Sequence, residues 1–171
     1  EINLGAIGKG HALDQLVVGM QQRGLENFLI HGGGSSVIAR GNQIPESGEG
    51  WAVGISHPTK PKQRVAGIRL RDQALSTSGS GKQFFHFRGR RYGHVIDPRS
   101  GYPAGELLAL TAVADNATDA EACSTGYFVQ GVDAIRAAAE ADASLPNLLG
   151  IRAGSRQDAV EVIAFGEFDW I

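Results

Sequence analysis

The sequence predicts an α+β fold, a mostly antiparallel sheet with helices packed on it. Three observations carry this expectation. Short β-like runs follow one another with short turns between them, most containing glycine or proline, which suits antiparallel neighbours. Helical periodicity is confined to residues 6–24 and 117–142. The chain then finishes on two strand-like runs in tandem, with no strand–helix alternation.

Each element has its own local cause. In AIGKGHALDQLVVGMQQRG, residues 6–24, Ile7, Ala12, Leu13, Leu16, Val17 and Met20 recur near helical spacing, and Gly24 supplies a C-terminal stop. NFLIHGGGSSVIARG reads as strand, glycine turn, strand, and WAVGISHP as a strand ended by Pro58. KQRVAGIRLRDQALSTSGS gives two short strands around a turn near Arg71 and Asp72. QFFHFRGRRYGHVID is a hairpin in which FFHF alternates, RGR turns and YGHVI returns. After a break at Asp97–Pro98, LLALTAVAD is a strand. ATDAEACSTGYFVQG is a helix with Ala117, Ala120, Cys123, Tyr127 and Phe128 toward one side and Asn116 or Thr118 as its cap. VDAIRAAAEAD is a second, alanine-rich helix, and NLLGIRAG with AVEVIAFGEF forms a terminal hairpin. No repeat or linker interrupts this order, so one domain is expected over 1–171.

Composition narrows the function. Sixteen basic and 18 acidic residues leave a net charge of −2, which provides no long-range attraction for nucleic acid or acidic lipid. No apolar run approaches the ~20 residues of a membrane span. The single cysteine, Cys123, excludes an internal disulfide and is expected to be a buried helix residue. The 24 glycines are roughly twice the typical ~7%. They cluster in GAIGKG, HGGGSS and SGSGK, where positive-φ turns or close approach of backbone to a ligand are the physical uses.

Five places offer chemistry. Gly32, Gly33 and Gly34 either form a hairpin turn or expose N–H groups to an anion; the spacing is not that of a P-loop. Lys9 opposes the helix dipole, which is useful only if an anion is held there; otherwise it is a solvated lysine. Thr77, Ser78 and Gly79 either contact phosphate or sugar or form a polar loop. His94 can donate to phosphate or relay a proton, and Asp97 can hold the turn that follows it. Glu121 and Thr125, four apart, share a helix face and could complete an oxygen-rich Mg²⁺ site, or be ordinary helix polarity. Together they suit a phosphate-bearing ligand such as a nucleotide.

GAIGKGHALD, then LSTSGS…QFF…GRRYGHVIDPRSGYP, then ACSTGYFVQG, in that order and spacing, resemble the ApbE family of FAD:protein FMN transferases. The resemblance covers essentially the whole chain, and the H-x-x-D-P-x-[ST]-G-x-P element is its most specific part. It implies an ApbE-like fold and an enzyme that binds FAD with Mg²⁺ and cleaves its pyrophosphate. FMN would pass to a threonine of a partner protein, a flavin-carrying subunit of a redox complex facing the bacterial periplasm, and AMP would leave. It also implies roles. The Ala6 carbonyl, Glu121 and Thr125 would hold the metal. Lys9, Gly32, Gly33, Gly34, Thr77, Ser78, Gly79 and His94 would bind the cofactor in one cleft, and His94 and Asp97 would serve catalysis. A cleft of FAD size beside His94 is therefore expected. Some relatives hydrolyse FAD instead, and a non-catalytic flavin-binding protein or a structural remnant are the remaining readings.

The departures from the family pattern are specific. Asn3 and Ser35 stand where aspartates are usual, Gly8 where alanine is, and His31 where asparagine is common. Glu121 replaces the metal-binding aspartate; its extra methylene moves the carboxylate by about 1.5 Å, and Mg²⁺ demands near-octahedral geometry. Asp119 is the alternative ligand. The motif containing Lys9 opens the chain, which lacks an initial Met and is expected to be without the N-terminal portion usual in the family, where a signal or lipid anchor could reside.

Overall fold

The structure is a computed structural model that describes residues 3–81, 84–156 and 159–171. Lys82 and Gln83, read from sequence as the end of STSGSGK and the start of a hairpin, lie outside them.

Period-two alternation along the strands separates two cores onto opposite faces of one sheet. The elements in chain order are α1 (Gly8–Gln21), β1 (Phe28–Gly32), β2 (Ser36–Arg40), β3 (Trp51–Ser56), β4 (Arg64–Leu70), β5 (Ala74–Gly79), β6 (Phe84–Phe87), β7 (Arg90–Gly93), β8 (Ile96–Asp97), β9 (Tyr102–Pro103), β10 (Ala109–Ala114), α2 (Ala117–Gln130), α3 (Val132–Ala141), β11 (Asn147–Ala153) and β12 (Val160–Phe165). Six strands form a sheet in the order β1-β2-β5-β10-β11-β12, every neighbouring pair antiparallel. The pairs β3–β4, β6–β7 and β8–β9 are separate two-stranded ribbons.

One face of the sheet presents Val37, Ala39, Leu75, Ala109, Val113, Leu149 and Ile151 to Val53, Ile55, Ile68 and Leu70 of the β3–β4 ribbon. The other face presents Ile38 and Ala74 to α1 and α2, and Leu110, Ala112 and Leu148 to Phe128 of α2 and Val132 and Ile135 of α3. The result is three layers, ribbon, sheet and helices, which is the α+β arrangement expected from the sequence.

The register of α1 differs from the hydrophobic reading in an instructive way. Leu16 is 53% exposed and Ile7 38% exposed, whereas the buried line is Gly10, Leu13 and Val17. A Cβ on Gly10 would collide with the Ala117 carbonyl. The two helix backbones therefore touch through a glycine, and a hydrophobic count gives glycine no weight.

Candidate functional site

The candidate residues Lys9, Gly32, Gly33, Gly34, Ser78, Glu121 and Thr125 lie along the seam where α1 and α2 meet over β1, β2 and β5. Two contacts lock the helices together. Gly10 allows the close approach just described, and the carboxylate of Asp14 accepts the N–H groups of Ala117 at 2.8 Å and Thr118 at 3.0 Å. Asp14 thus caps α2 from a neighbouring helix and satisfies donors that a helix start leaves open. Asn116 supplies the cap expected from sequence, accepting from the Asp119 N–H at 2.8 Å. Asp119 is exposed and bound to Asn116, so the buried carboxylate of α2 is Glu121.

Glu121 is 2% exposed. One of its oxygens, Oε2, accepts the Gly10 N–H at 2.6 Å. The other, Oε1, is paired with the Lys9 ammonium. Gly10 is the third residue of α1, so its N–H has no partner within the helix and Glu121 supplies one; Ala6 lies just before the Ile7 N-cap. Burial pushes the Lys9 ammonium below the ordinary lysine range, while the carboxylate against it pulls the other way. The glycine hairpin completes this end of the seam. Gly33 and Gly34 have φ of 64° and 73°, as a tight turn requires, and a Cβ on Gly33 would stand 3.8 Å from Cδ of Lys9.

One helical turn further along α2, Thr125 Oγ1 lies 2.8 Å from Ser78 Oγ of β5. Ser78 also meets Ser124 Oγ at 3.1 Å, and Ser124 donates to the Glu121 carbonyl at 3.0 Å. The expected cleft residues Thr77 and Ser78 do not share a face. Thr77 bonds Thr111 at 2.8 Å, and both lie with Leu75 and Val113 on the ribbon side of the sheet. Successive strand side chains point oppositely, so only Ser78 faces α2. Gly79 packs against the Leu108 carbonyl and Ala109, where a Cβ would have no room.

His94 is exposed, in the bend between β7 and β8. It follows Gly93, where a Cβ would strike Ser80 at the end of β5, and precedes Val95, which packs on the core around Phe128. Asp97 holds this segment rigid. Its carboxylate accepts from the Arg99 backbone N–H at 2.9 Å and from the Arg99 guanidinium at 2.8 Å, and its carbonyl accepts the Ser100 and Gly101 N–H groups. Arg99 reaches on to the Val129 carbonyl of α2. The Arg99 hydrogen bonds hold the Asp97 carboxyl below the usual carboxylate range. A cavity of about 400 Å³ at the end of β10 is lined by His57, Thr59, Leu108 and Arg156 among others. His94 is not in its wall, so it is not the cleft expected there. Cys123 is half-buried, and burial, followed by the charge of Asp119, pushes its thiol up.

Among the described residues no three His, Cys, Asp or Glu side chains converge on one point. The donor set fits a hard cation for another reason. It offers a buried carboxylate, with Oε1 facing the Lys9 ammonium, and a hydroxyl on the same helix face, both oxygen ligands of the kind Mg²⁺ takes.

A profile of the ApbE family matches residues 1–149. The chain belongs to the ApbE family. Among curated relatives, a protein of Haemophilus influenzae named FAD:protein FMN transferase is 34% identical over 135 residues, 77% of this chain and 38% of its own length. One of Escherichia coli with the same name is 36% identical over 134 residues, 76% of this chain and 37% of its own length. The chain therefore spans well under half the length of these relatives. Among solved structures, the ApbE protein of Thermotoga maritima superposes with a TM-score of 0.79 at 30% identity, covering 94% of this chain and 50% of that one. The flavin transferase ApbE of Vibrio cholerae gives 0.76 at 27% identity, covering 95% and 50%. The ApbE fold expected from the motifs is thus present. The sequence reading missed Gly10, Asp14 and Ser124. Asp14 had a signal, a carboxylate one turn after Gly10 beside the buried positions 13 and 17; Ser124 is an ordinary helix serine until β5 is laid against it.

Proposed function

We propose that this chain forms the metal- and FAD-binding part of an Mg²⁺-dependent FAD:protein FMN transferase. The observation that carries the proposal is Glu121, a carboxylate buried in the helix seam whose Oε1 faces a cation, the Lys9 ammonium. A buried carboxylate oxygen costs free energy unless a cation faces it; Lys9 holds that place, and Mg²⁺ would share or displace it. The names of the curated relatives support the same activity.

In this proposal the Ala6 carbonyl, Glu121 and the Thr125 hydroxyl would hold Mg²⁺, which would supply positive charge against the pyrophosphate. Lys9 turns its ammonium to the phosphates, and Gly32, Gly33 and Gly34 let backbone approach the cofactor without a Cβ in the way. Ser78 contributes from β5 and Gly79 by its lack of a side chain; Thr77 lies on the far face and contributes through its backbone alone. The oxygen of an acceptor threonine bonds to the phosphorus on the FMN side. The bond from that phosphorus to the bridging oxygen breaks, and AMP leaves with that oxygen. His94 takes the threonine's proton, and Asp97 is a positioning residue that fixes the segment carrying His94 through Arg99. The acceptor is a protein, by proposal a flavin-carrying subunit of a redox complex, met on the periplasmic side of the membrane. No helix among the described residues is long and apolar enough to cross a membrane.

The test uses the full-length protein with FAD, Mg²⁺ and a threonine-bearing acceptor domain, reading the acceptor's intact mass and released AMP. An FMN mass gain with AMP is expected, and Glu121→Gln is expected to lose it while keeping the fold. AMP without mass gain on a competent acceptor would replace the transferase by a pyrophosphatase. FAD retained with neither product would make the protein a flavin binder.

A further inference from the structure

The hydroxyl groups around Ser78 have only one consistent arrangement of protons. A serine or threonine hydroxyl has a single hydrogen to donate and two lone pairs to accept with. The chain of bonds starts at a carbonyl, which can only accept, so Ser124 spends its hydrogen on the Glu121 carbonyl 3.0 Å away. The 3.1 Å contact between Ser124 and Ser78 then has one possible donor, Ser78. With its hydrogen spent, Ser78 can only accept across its 2.8 Å contact with Thr125. Thr125 therefore donates to Ser78, and no donor among the described residues stands in front of the two lone pairs that remain on Thr125 Oγ1.

We infer that Ser78 is a positioning residue that prepares Thr125 as a cation ligand, with Ser124 setting the direction of the relay. The inference rests on the proposed metal site and adds a device to it. A free threonine hydroxyl on a helix swings between rotamers and turns its hydrogen to the carbonyl three or four residues back. In α2 that carbonyl region is already served by Ser124. Ser78 captures the Thr125 hydrogen from the sheet side, holds one rotamer, and presents lone pairs where a hard cation takes oxygen ligands. Burial strengthens the arrangement: Ser124 is fully buried, so water does not compete for the first link of the chain.

The experiment measures the dissociation constant of Mn²⁺, as a probe for Mg²⁺, by calorimetry on the full-length protein and its variants, with circular dichroism confirming the fold. Ser78→Ala is expected to weaken binding about fivefold, the worth of one net hydrogen bond. Thr125→Val, close in shape and lacking the hydroxyl, is expected to weaken it more. In the Thr125→Val background, Ser78→Ala is expected to change nothing further, because its effect passes through Thr125. Ser124→Ala is expected to weaken binding as well, since Ser78 is then free to turn its hydrogen toward Thr125. Unchanged affinity in Ser78→Ala, or an equal loss in the Thr125→Val background, would overturn the inference. Glu121→Gln separates it from the metal site itself. If Glu121→Gln leaves Mn²⁺ binding intact, the site is misplaced and the inference falls with it. If Glu121→Gln abolishes binding and Ser78→Ala does not affect it, the site stands and the relay alone is wrong.

Discussion

Lys9→Met removes the ammonium from Glu121 while keeping an unbranched side chain of similar reach. Glu121 is 3% exposed at its side chain and Lys9 44%. Breaking a fully buried ion pair by deleting one partner costs ~3–5 kcal/mol. Lys9 is well over a third exposed, so water already screens much of its charge, and Glu121 retains the Gly10 N–H. The expected cost is therefore about 1–2 kcal/mol, a fall in Tm of about 2–8 °C for a chain of this size. Magnesium inverts the comparison. In the native protein the metal must share or displace the ammonium at Oε1, whereas in the variant that oxygen is available to the metal alone. The rise in Tm on adding Mg²⁺ should then be larger for Lys9→Met than for the native chain, because the cation binds the folded variant more tightly. The assay is a pair of thermal melts, with chelator and with millimolar Mg²⁺. A variant that melts with the native protein in chelator, or gains no more than the native protein from Mg²⁺, would refute the idea that Lys9 and the metal use the same oxygen.

Other consequences follow from the same geometry. Asp14→Ala leaves the Ala117 and Thr118 N–H groups uncapped and should cost about 1–2 kcal/mol by denaturant unfolding, with hydrogen exchange fastest in the first turn of α2. Asp97 has a folded pKa below its unfolded value of about 4, because Arg99 favours its charged form. Its contribution to the turn is thus fully present above pH 4 and lost as pH falls through the folded value. The amide signals of Arg99, Ser100 and Gly101 should hold their positions from neutral pH down to about 4 and shift below it, while Asp97→Asn should remove that transition. Cys123, half-buried and with its thiol pushed up, should label slowly with a thiol reagent at pH 7 in the native state and rapidly once unfolded.

The sequence by itself determined the local structure and the chemical inventory. The glycine turns, the Asp97–Pro98 break and the four-residue step from Glu121 to Thr125 are properties of neighbouring residues, and each appears where the local rules put it; the alternation read for FFHF does not, since that strand is exposed throughout. The family and its fold were legible from the same motifs. Tertiary structure decided which of those residues meet. The bond from Gly10 to Glu121 joins positions 111 apart, and the Ser78–Thr125 contact joins positions 47 apart. Both depend on the sheet order that lays β5 beside β10 and on the face that α2 covers. Thr77 and Ser78 look equivalent along the chain, yet the pleat sends one to the ribbon and the other to the helix. Leu16 looks like core on a helical wheel, yet glycine against backbone sets the contact line of α1 and leaves Leu16 outside. Periodicity is a local quantity and is read from one segment at a time. The close approach of two backbones, and the direction of a proton along three hydroxyls, exist only once separate segments are packed together.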